Sequence, residues 1–313
     1  MRVLQVLRVL AAPRELLVRR RAARSALRGV EPGLRVDGQA GYVRFDSGEL
    51  PGTDPVLQSG GRLLSAIRPH LPELQRVREG NRRLTIDLLS DDALGRDPVF
   101  IEFALQDNVL GPVLAYLRTV PFLGRITLGL SVHLPELVEP TFHQRFHVDN
   151  DDFRHLKLYL HARDVEPADG PLCFLPATTS ARVLRALRRG RRRQGRYTTY
   201  SDEEVYRHCA PSELVELTGP AGSGAYVDLS RCLHYGSRVR SGRERLVTTL
   251  TFLRYHRVHH NASNRIDAER AGPDPLRRLV LETPYDYPAG TFCPDPLEAR
   301  GGAVRTNRGK DPG

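Results

Sequence analysis

From about residue 123 to 255 the chain is a succession of short β-like runs broken by turn signals, and strands of this kind must stack or close to bury one of their faces. The runs are RITLGLSVHL (125–134), RFHVD (145–149), HLKLYLHARDV (155–165), GPLCFLP (170–176), GAYVDL (224–229) and RLVTTLTFLRY (245–255). In the third, Leu156, Leu158 and Leu160 alternate with His155, Lys157, Tyr159 and His161. Strand side chains point alternately to opposite faces, so one face is greasy and the other carries polar, ligand-capable groups. A solvated outer face and the working interior of a jelly roll both give this alternation. The fold expected is therefore mainly β, a sandwich or barrel of antiparallel strands.

Ahead of these runs the pattern is helical. Residues 1–30 read as an amphipathic helix ended by Glu31-Pro32-Gly33, with a linker to residue 40. Residues 41–110 mix short strands and helices, and Leu63, Leu64, Ile67, Leu71 and Leu74 recur at the spacing of a helix laid on a sheet. One catalytic domain over 41–260 is expected for a chain of 313 residues. An insert at 181–200 holds eight arginines from Arg182 to Arg196 and no acid, and reads as a helix plus a loop at the barrel mouth. Ser201-Asp202-Glu203-Glu204 has the form of a helix start. Residues 261–313 form an extension rich in Pro, Gly and Arg, with disorder expected over 297–313.

The formal charge of +10 would suggest an anionic partner. However, Lys157 and Lys310 are the only lysines, so 45 of the 47 basic residues are arginine. That skew suits a GC-rich coding sequence as well as it suits nucleic-acid binding. No aromatic interleaves the arginines of the insert before Tyr197, which disfavours a stacking platform for single strands. Cys173, Cys209, Cys232 and Cys293 form no C-x-x-C pair, against a zinc knuckle or a disulfide scaffold and in favour of a reducing cytoplasm. No segment has the apolar length of a membrane span. The Arg-rich start also has the character of an organellar presequence or an interfacial helix.

His147-Val148-Asp149 lies in a strand-like run, where residues i and i+2 share a face and present an imidazole and a carboxylate to one ion. With a second histidine this makes a 2-His-1-carboxylate set that leaves open positions on Fe(II). His234 follows the strand-like GAYVDL and is the candidate third ligand. Eleven residues later Arg245 opens the next run, where a guanidinium can pair with the far carboxylate of a dicarboxylate. His143 and His147, four apart, would suit a zinc protease on a helix, but Gln144 stands where that motif needs glutamate. His256, His259 and His260 read as a surface cap to the last strand.

FHQRFHVDNDDFRHLKLYLHARDV, DGPLCFLPATTS, GAYVDLSRCLHYGS and RERLVTTLTF resemble, in that order, the blocks of the phytanoyl-CoA dioxygenase family of Fe(II)/2-oxoglutarate-dependent oxygenases. The resemblance covers roughly residues 120–255. It implies a double-stranded β-helix, a jelly roll of the cupin kind, with iron on His147, Asp149 and His234 and with 2-oxoglutarate on Arg245. The family usually ends the second block in Ser-His after Pro-Gly, where this chain has Ala177 and Ser180. In that resemblance an aspartate at 149 points to hydroxylation or a related oxidation, since halogenating relatives lack that carboxylate.

Lys157, Ser237 and Tyr226 are further candidates for the cosubstrate, each with a bland alternative: a rim ion pair for Lys157, local turn or core structure for the other two. The function expected is a 2-oxoglutarate-dependent dioxygenase that uses O₂ on a small-molecule substrate, with anionic, coenzyme A-linked and carrier-linked substrates all open. A jelly-roll binding protein without redox chemistry and a nucleic-acid-directed oxidative demethylase are the alternatives.

Overall fold

A computed structural model of the protein describes residues 13–29, 31–74, 85–135, 139–189, 199–254 and 266–282, with only the backbone of Asp91, Asp92 and Phe142. The first 12 residues of the expected N-terminal helix, residues 190–198 of the arginine-rich insert, the His256/His259/His260 cluster and the expected disordered tail lie outside the described residues.

Strands β1 (Tyr42–Phe45), β2 (Thr85–Asp87), β3 (Phe122–Val132), β4 (His155–His161), β7 (Gly224–Val227) and β9 (Glu244–Leu253) form a six-stranded sheet in the order β1-β7-β4-β9-β3-β2. Strands β5 (Leu172–Phe174), β6 (Val215–Leu217) and β8 (His234–Tyr235) form a second sheet in the order β6-β5-β8. Every pairing is antiparallel. The two sheets make a double-stranded β-helix, or jelly-roll, core with flanking helices. The run 145–149 is shorter in pairing than its sequence suggested: it joins the second sheet by a single bridge, His147 to His234, and Phe146 bridges to Tyr200 outside that sheet.

Helices α1 (Pro13–Ala26), α2 (Thr53–Ile67), α3 (Asp91–Arg96), α4 (Val99–Ala104) and α5 (Asp107–Leu117) precede the main strands, with α6 (Ala177–Arg189) and α7 (Asp202–Tyr206) between β5 and β6 and α8 (Pro275–Leu281) after β9. Ser201 caps α7, accepting from the Glu204 amide while the Glu204 carboxylate accepts from the Ser201 amide. The start expected at Ser201 is realised, whereas the arginine-rich helix begins earlier than the sequence suggested, at Ala177.

Strand register sorts the side chains of the large sheet onto two faces. Leu156, Leu158 and Leu160 lie opposite Phe252, Leu250 and Thr248 of β9, and Leu158 lies opposite Tyr226 of β7. The three leucines are fully buried in one cluster with Leu64 and Ile67 of α2, Phe100 of α4 and Leu110 and Leu114 of α5. Each such burial stabilises by about 1.5–3 kcal/mol. The Tyr226 hydroxyl donates to Val109 O of α5 at 3.1 Å, and its ring lies against Phe45. Ala225 and Val227, the neighbours of Tyr226, pack instead with Leu172 and Phe174 of the second sheet. The odd-numbered face of β4 thus looks inward between the sheets.

One buried cation ties the ends of the described chain to the core. The fully buried Arg19 of α1 donates to the carbonyls of Val120 and Pro121 before β3 and to Leu279 and Glu282 of the C-terminal segment, the shortest contact being 2.7 Å to Leu279. An arginine that the sequence places on a surface helix is therefore a clamp.

Leu158→Ala, which leaves a cavity between sheet and helices, is expected to cost about 2–5 kcal/mol in urea unfolding. Tyr226→Phe leaves Val109 O without its donor and is expected to cost about 1 kcal/mol.

Candidate metal centre

His147 and His234 face each other because their backbones pair: each amide donates to the other's carbonyl at 2.9 Å. The Asp149 amide donates to Leu229 O, also at 2.9 Å, so the H-x-D segment and the strand bearing His234 are held as neighbours. Ser180, at the departure from the family pattern, fastens this arrangement. Its hydroxyl donates to Leu175 O at 2.9 Å and accepts from the Leu233 amide at 2.8 Å, beside His234.

Both imidazoles are oriented by their own backbone. His147 Nδ1 lies 2.9 Å from Arg145 O, and His234 Nδ1 lies 2.9 Å from Cys232 O. A carbonyl only accepts, so each Nδ1 donates to it and each Nε2 is the ring nitrogen left to face a metal. Those two Nε2 atoms lie 3.5 and 3.6 Å from one atom, Asp149 Oδ1. His147, Asp149 and His234 thus converge as a set that could hold a divalent ion, with both imidazole tautomers set for ligation.

Charge on these groups follows from burial and neighbours. Burial and the adjacent His147 push His234 down to about 3, which keeps the ring neutral. Burial alone would raise Asp149, but the Lys157 ammonium and the His234 and His147 rings hold it well below the usual carboxylate range. Lys157 donates to Asp149 Oδ2 at 2.6 Å and lies 3.2 Å from Asp151 Oδ2. Against burial, these two carboxylates raise its pKa.

Arg245 points inward from β9, where Ser131 of β3 is its partner in register. Its Nη2 donates to Ser237 Oγ at 3.0 Å and reaches Ser131 Oγ at 3.4 Å, while buried Nε has no hydrogen-bond partner. Among the described residues no carboxylate lies within ion-pair distance of this guanidinium. Burial lowers its pKa. A buried cation paired only with hydroxyls fits a ligand carboxylate. Ser237 holds its place at φ 61°, a left-handed conformation that costs a serine about 1 kcal/mol or more. Gly170 makes the approach of this turn possible: a Cβ there would lie 2.7 Å from the backbone of Arg238 and Val239.

Four residues were not singled out in the sequence as site candidates. His155 and Tyr159 share the inward face with Lys157 and were legible as part of the polar stripe. Burial raises the Tyr159 hydroxyl, with the Lys157 and Arg245 charges acting against it and Asp149 with it. Ser131 and Asp151 depend on register and loop path. His143, set aside as half of a zinc motif, lies 3.4 Å from His147 Nε2 through its Nδ1. Tyr226 is a correction. Its side chain lies on the opposite face of the sheet, among the helices, because it pairs with Leu158 and not with an odd-numbered residue. A separate cleft of about 910 Å³ is lined by residues that include Arg68, His133, Arg163 and Glu244, and contains none of the triad.

No family model and no curated protein matches the chain. Among solved structures, it is similar to the epimerase SnoN in complex with Fe³⁺, α-ketoglutarate and nogalamycin RO (14% identity, 73% of this chain and 84% of that one, TM-score 0.43). EctD from S. alaskensis with 2-oxoglutarate and 5-hydroxyectoine aligns at 15% identity over 68% of this chain and 72% of that one, with a TM-score of 0.43. HygX from Streptomyces hygroscopicus with nickel and 2-oxoglutarate aligns at 16% identity over 68% of this chain and 83% of that one, with a TM-score of 0.41. Among the described residues no helix is long and apolar enough to cross a membrane.

The buried histidines make stability depend on pH. His161, which meets Ser223 Oγ at 3.2 Å through Nδ1, is lowered to about 4 by burial and then by the Arg245 and Arg44 charges. Unfolded histidine titrates near 6.5. Below that pH the unfolded chain takes up protons that the folded chain refuses, so stability falls from about pH 6.5 toward pH 4. Each such histidine adds up to about 1.4 kcal/mol per pH unit. Urea midpoints of the metal-free protein between pH 7.5 and 4.5 should show this decline, and His161→Gln should make it shallower by that residue's share.

Proposed function

We propose that the protein is an Fe(II)- and 2-oxoglutarate-dependent dioxygenase that hydroxylates a small-molecule or thioester-linked substrate, with iron held by His147, Asp149 and His234. The observation that carries this reading is the pairing, in one inter-sheet space, of a convergent His/Asp/His set with a buried Arg245 that has no carboxylate partner among the described residues. A three-ligand set alone would suit many metals. A nearby buried guanidinium selects a cosubstrate with a carboxylate to give it.

In this reading Arg245 and Ser237 bind the far carboxylate of 2-oxoglutarate, and Tyr159 shares the inward face of β4 with Lys157. Bound Fe(II) supplies open positions for the chelating 2-oxo acid and for O₂. Overall, one oxygen atom enters a substrate C–H bond and the other enters succinate, with release of CO₂. The side chains supply orientation and exclude water. His234 stays neutral as a donor, Asp149 stays ionised, and Arg245 sits where a low dielectric strengthens its hold on an anion.

Anaerobic addition of Fe(II) and 2-oxoglutarate should give the weak visible charge-transfer band of the chelate, and His147→Ala should abolish it. Arg245→Gln should raise the Kd for 2-oxoglutarate by about 10–100-fold, the loss of one or two charge-assisted hydrogen bonds, while the metal still binds. A wild type that binds metal but gives no band would refute the reading and favour a jelly-roll binding protein.

A further inference from the structure

Lys157 is one of two lysines in a chain with 45 arginines, and it sits against the one carboxylate of the triad. The two oxygens of Asp149 have different neighbours. Oδ1 faces His147 Nε2 and His234 Nε2. Oδ2 accepts from the Lys157 ammonium at 2.6 Å and lies 3.9 Å from His155 Nε2. Lys157 is braced from the other side by Asp151 at 3.2 Å, and its side chain is 15% exposed.

Without the ammonium, this second group would itself suit a metal. Asp149, Asp151 and His155 offer ligand atoms within 4.8 Å of one another. His155 is fully buried and neither of its ring nitrogens has a hydrogen-bond partner. Oxygen and imidazole donors converging in this way take a divalent ion, and an Asp149 bridging two ions would make a dinuclear centre. The residue type then matters. A guanidinium would engage a carboxylate through a planar fork and compete for both oxygens, whereas an ammonium is a compact point charge that can hold one.

We infer that Lys157 is a positioning residue, a tethered cation that holds Asp149 to ligation through Oδ1 alone and fills the second cation position, so that the centre takes one metal ion. The inference rests on the assignment of a metal to His147, Asp149 and His234. It is an alternative to the cosubstrate contact expected for Lys157 from the sequence, since two carboxylates already engage the ammonium.

Mn(II) binding to the full chain, without cosubstrate and under argon, tests this by calorimetry and electron paramagnetic resonance. Wild type should bind one ion. Lys157→Met should bind the first ion at least tenfold more tightly and take up a second in excess Mn(II), with the spin-coupled spectrum of a metal pair. Adding Asp151→Asn should restore a single ion while binding stays tighter than wild type, because Oδ2 remains free. This double variant removes one charge of each sign, so it carries the test alone if Lys157→Met does not fold. One ion at wild-type or weaker affinity in the double variant overturns the inference. So does unchanged metal binding with a raised Kd for 2-oxoglutarate, which would assign Lys157 to the cosubstrate. A wild type that binds no ion removes the metal assignment itself, and the inference with it.

Discussion

The alternation of side chains along β4 governs both halves of the molecule. The strand lies between β7 and β9 in the large sheet, so neither face can reach bulk water by sitting at an edge. Its leucines are spent on the helical layer, where they and the β9 residues beside them form the main apolar contact. His155, Lys157, Tyr159 and His161 are then forced between the two sheets, since a one-residue slip in register would exchange the faces entirely. Polar groups removed from water must be paired or must await a ligand. The chemistry of the site follows from that demand.

The inter-sheet space meets the demand unevenly. The Nδ1 protons of His147 and His234 go to backbone carbonyls, and the Asp149 charge is balanced by Lys157. Among the described residues Arg245 has hydroxyls but no carboxylate, and the turn that brings Ser237 to it is strained. Strain held in place by surrounding structure, beside an incompletely satisfied buried cation, is the signature expected of a binding position. The same strain in a serine with no role toward a ligand would be a cost without a return.

Arginine and lysine divide the electrostatic work here. Arginines act as structural forks: Arg19 gathers carbonyls from two distant segments, and Arg238 grips both oxygens of Asp202 at 2.7 Å while stacked 3.5 Å over Tyr235, which fixes α7 beside the strand of His234. Lysine stands where one oxygen of a carboxylate must be held and the other left open. In a chain so rich in arginine, the exception marks a place where the fork would be wrong.

The sequence by itself determined the kinds of element and the chemical types at the site. Period two in HLKLYLH, the i, i+2 spacing of His147 and Asp149, and the acids after Ser201 are local properties, read without knowing any partner strand. Local pattern also left Tyr226 looking as eligible as Ser237, since a strand residue's face is undefined until the strand is paired. Only tertiary structure decided that. Register against Leu158 sent Tyr226 to the helices, and register against Ser131 brought Arg245 to the Ser237 hydroxyl. The backbone bridge between His147 and His234 joined residues 87 positions apart. Which oxygen of Asp149 is open, and which is held by Lys157, is likewise a matter of positions in space, because nothing in a one-dimensional pattern distinguishes the two oxygens of a carboxylate.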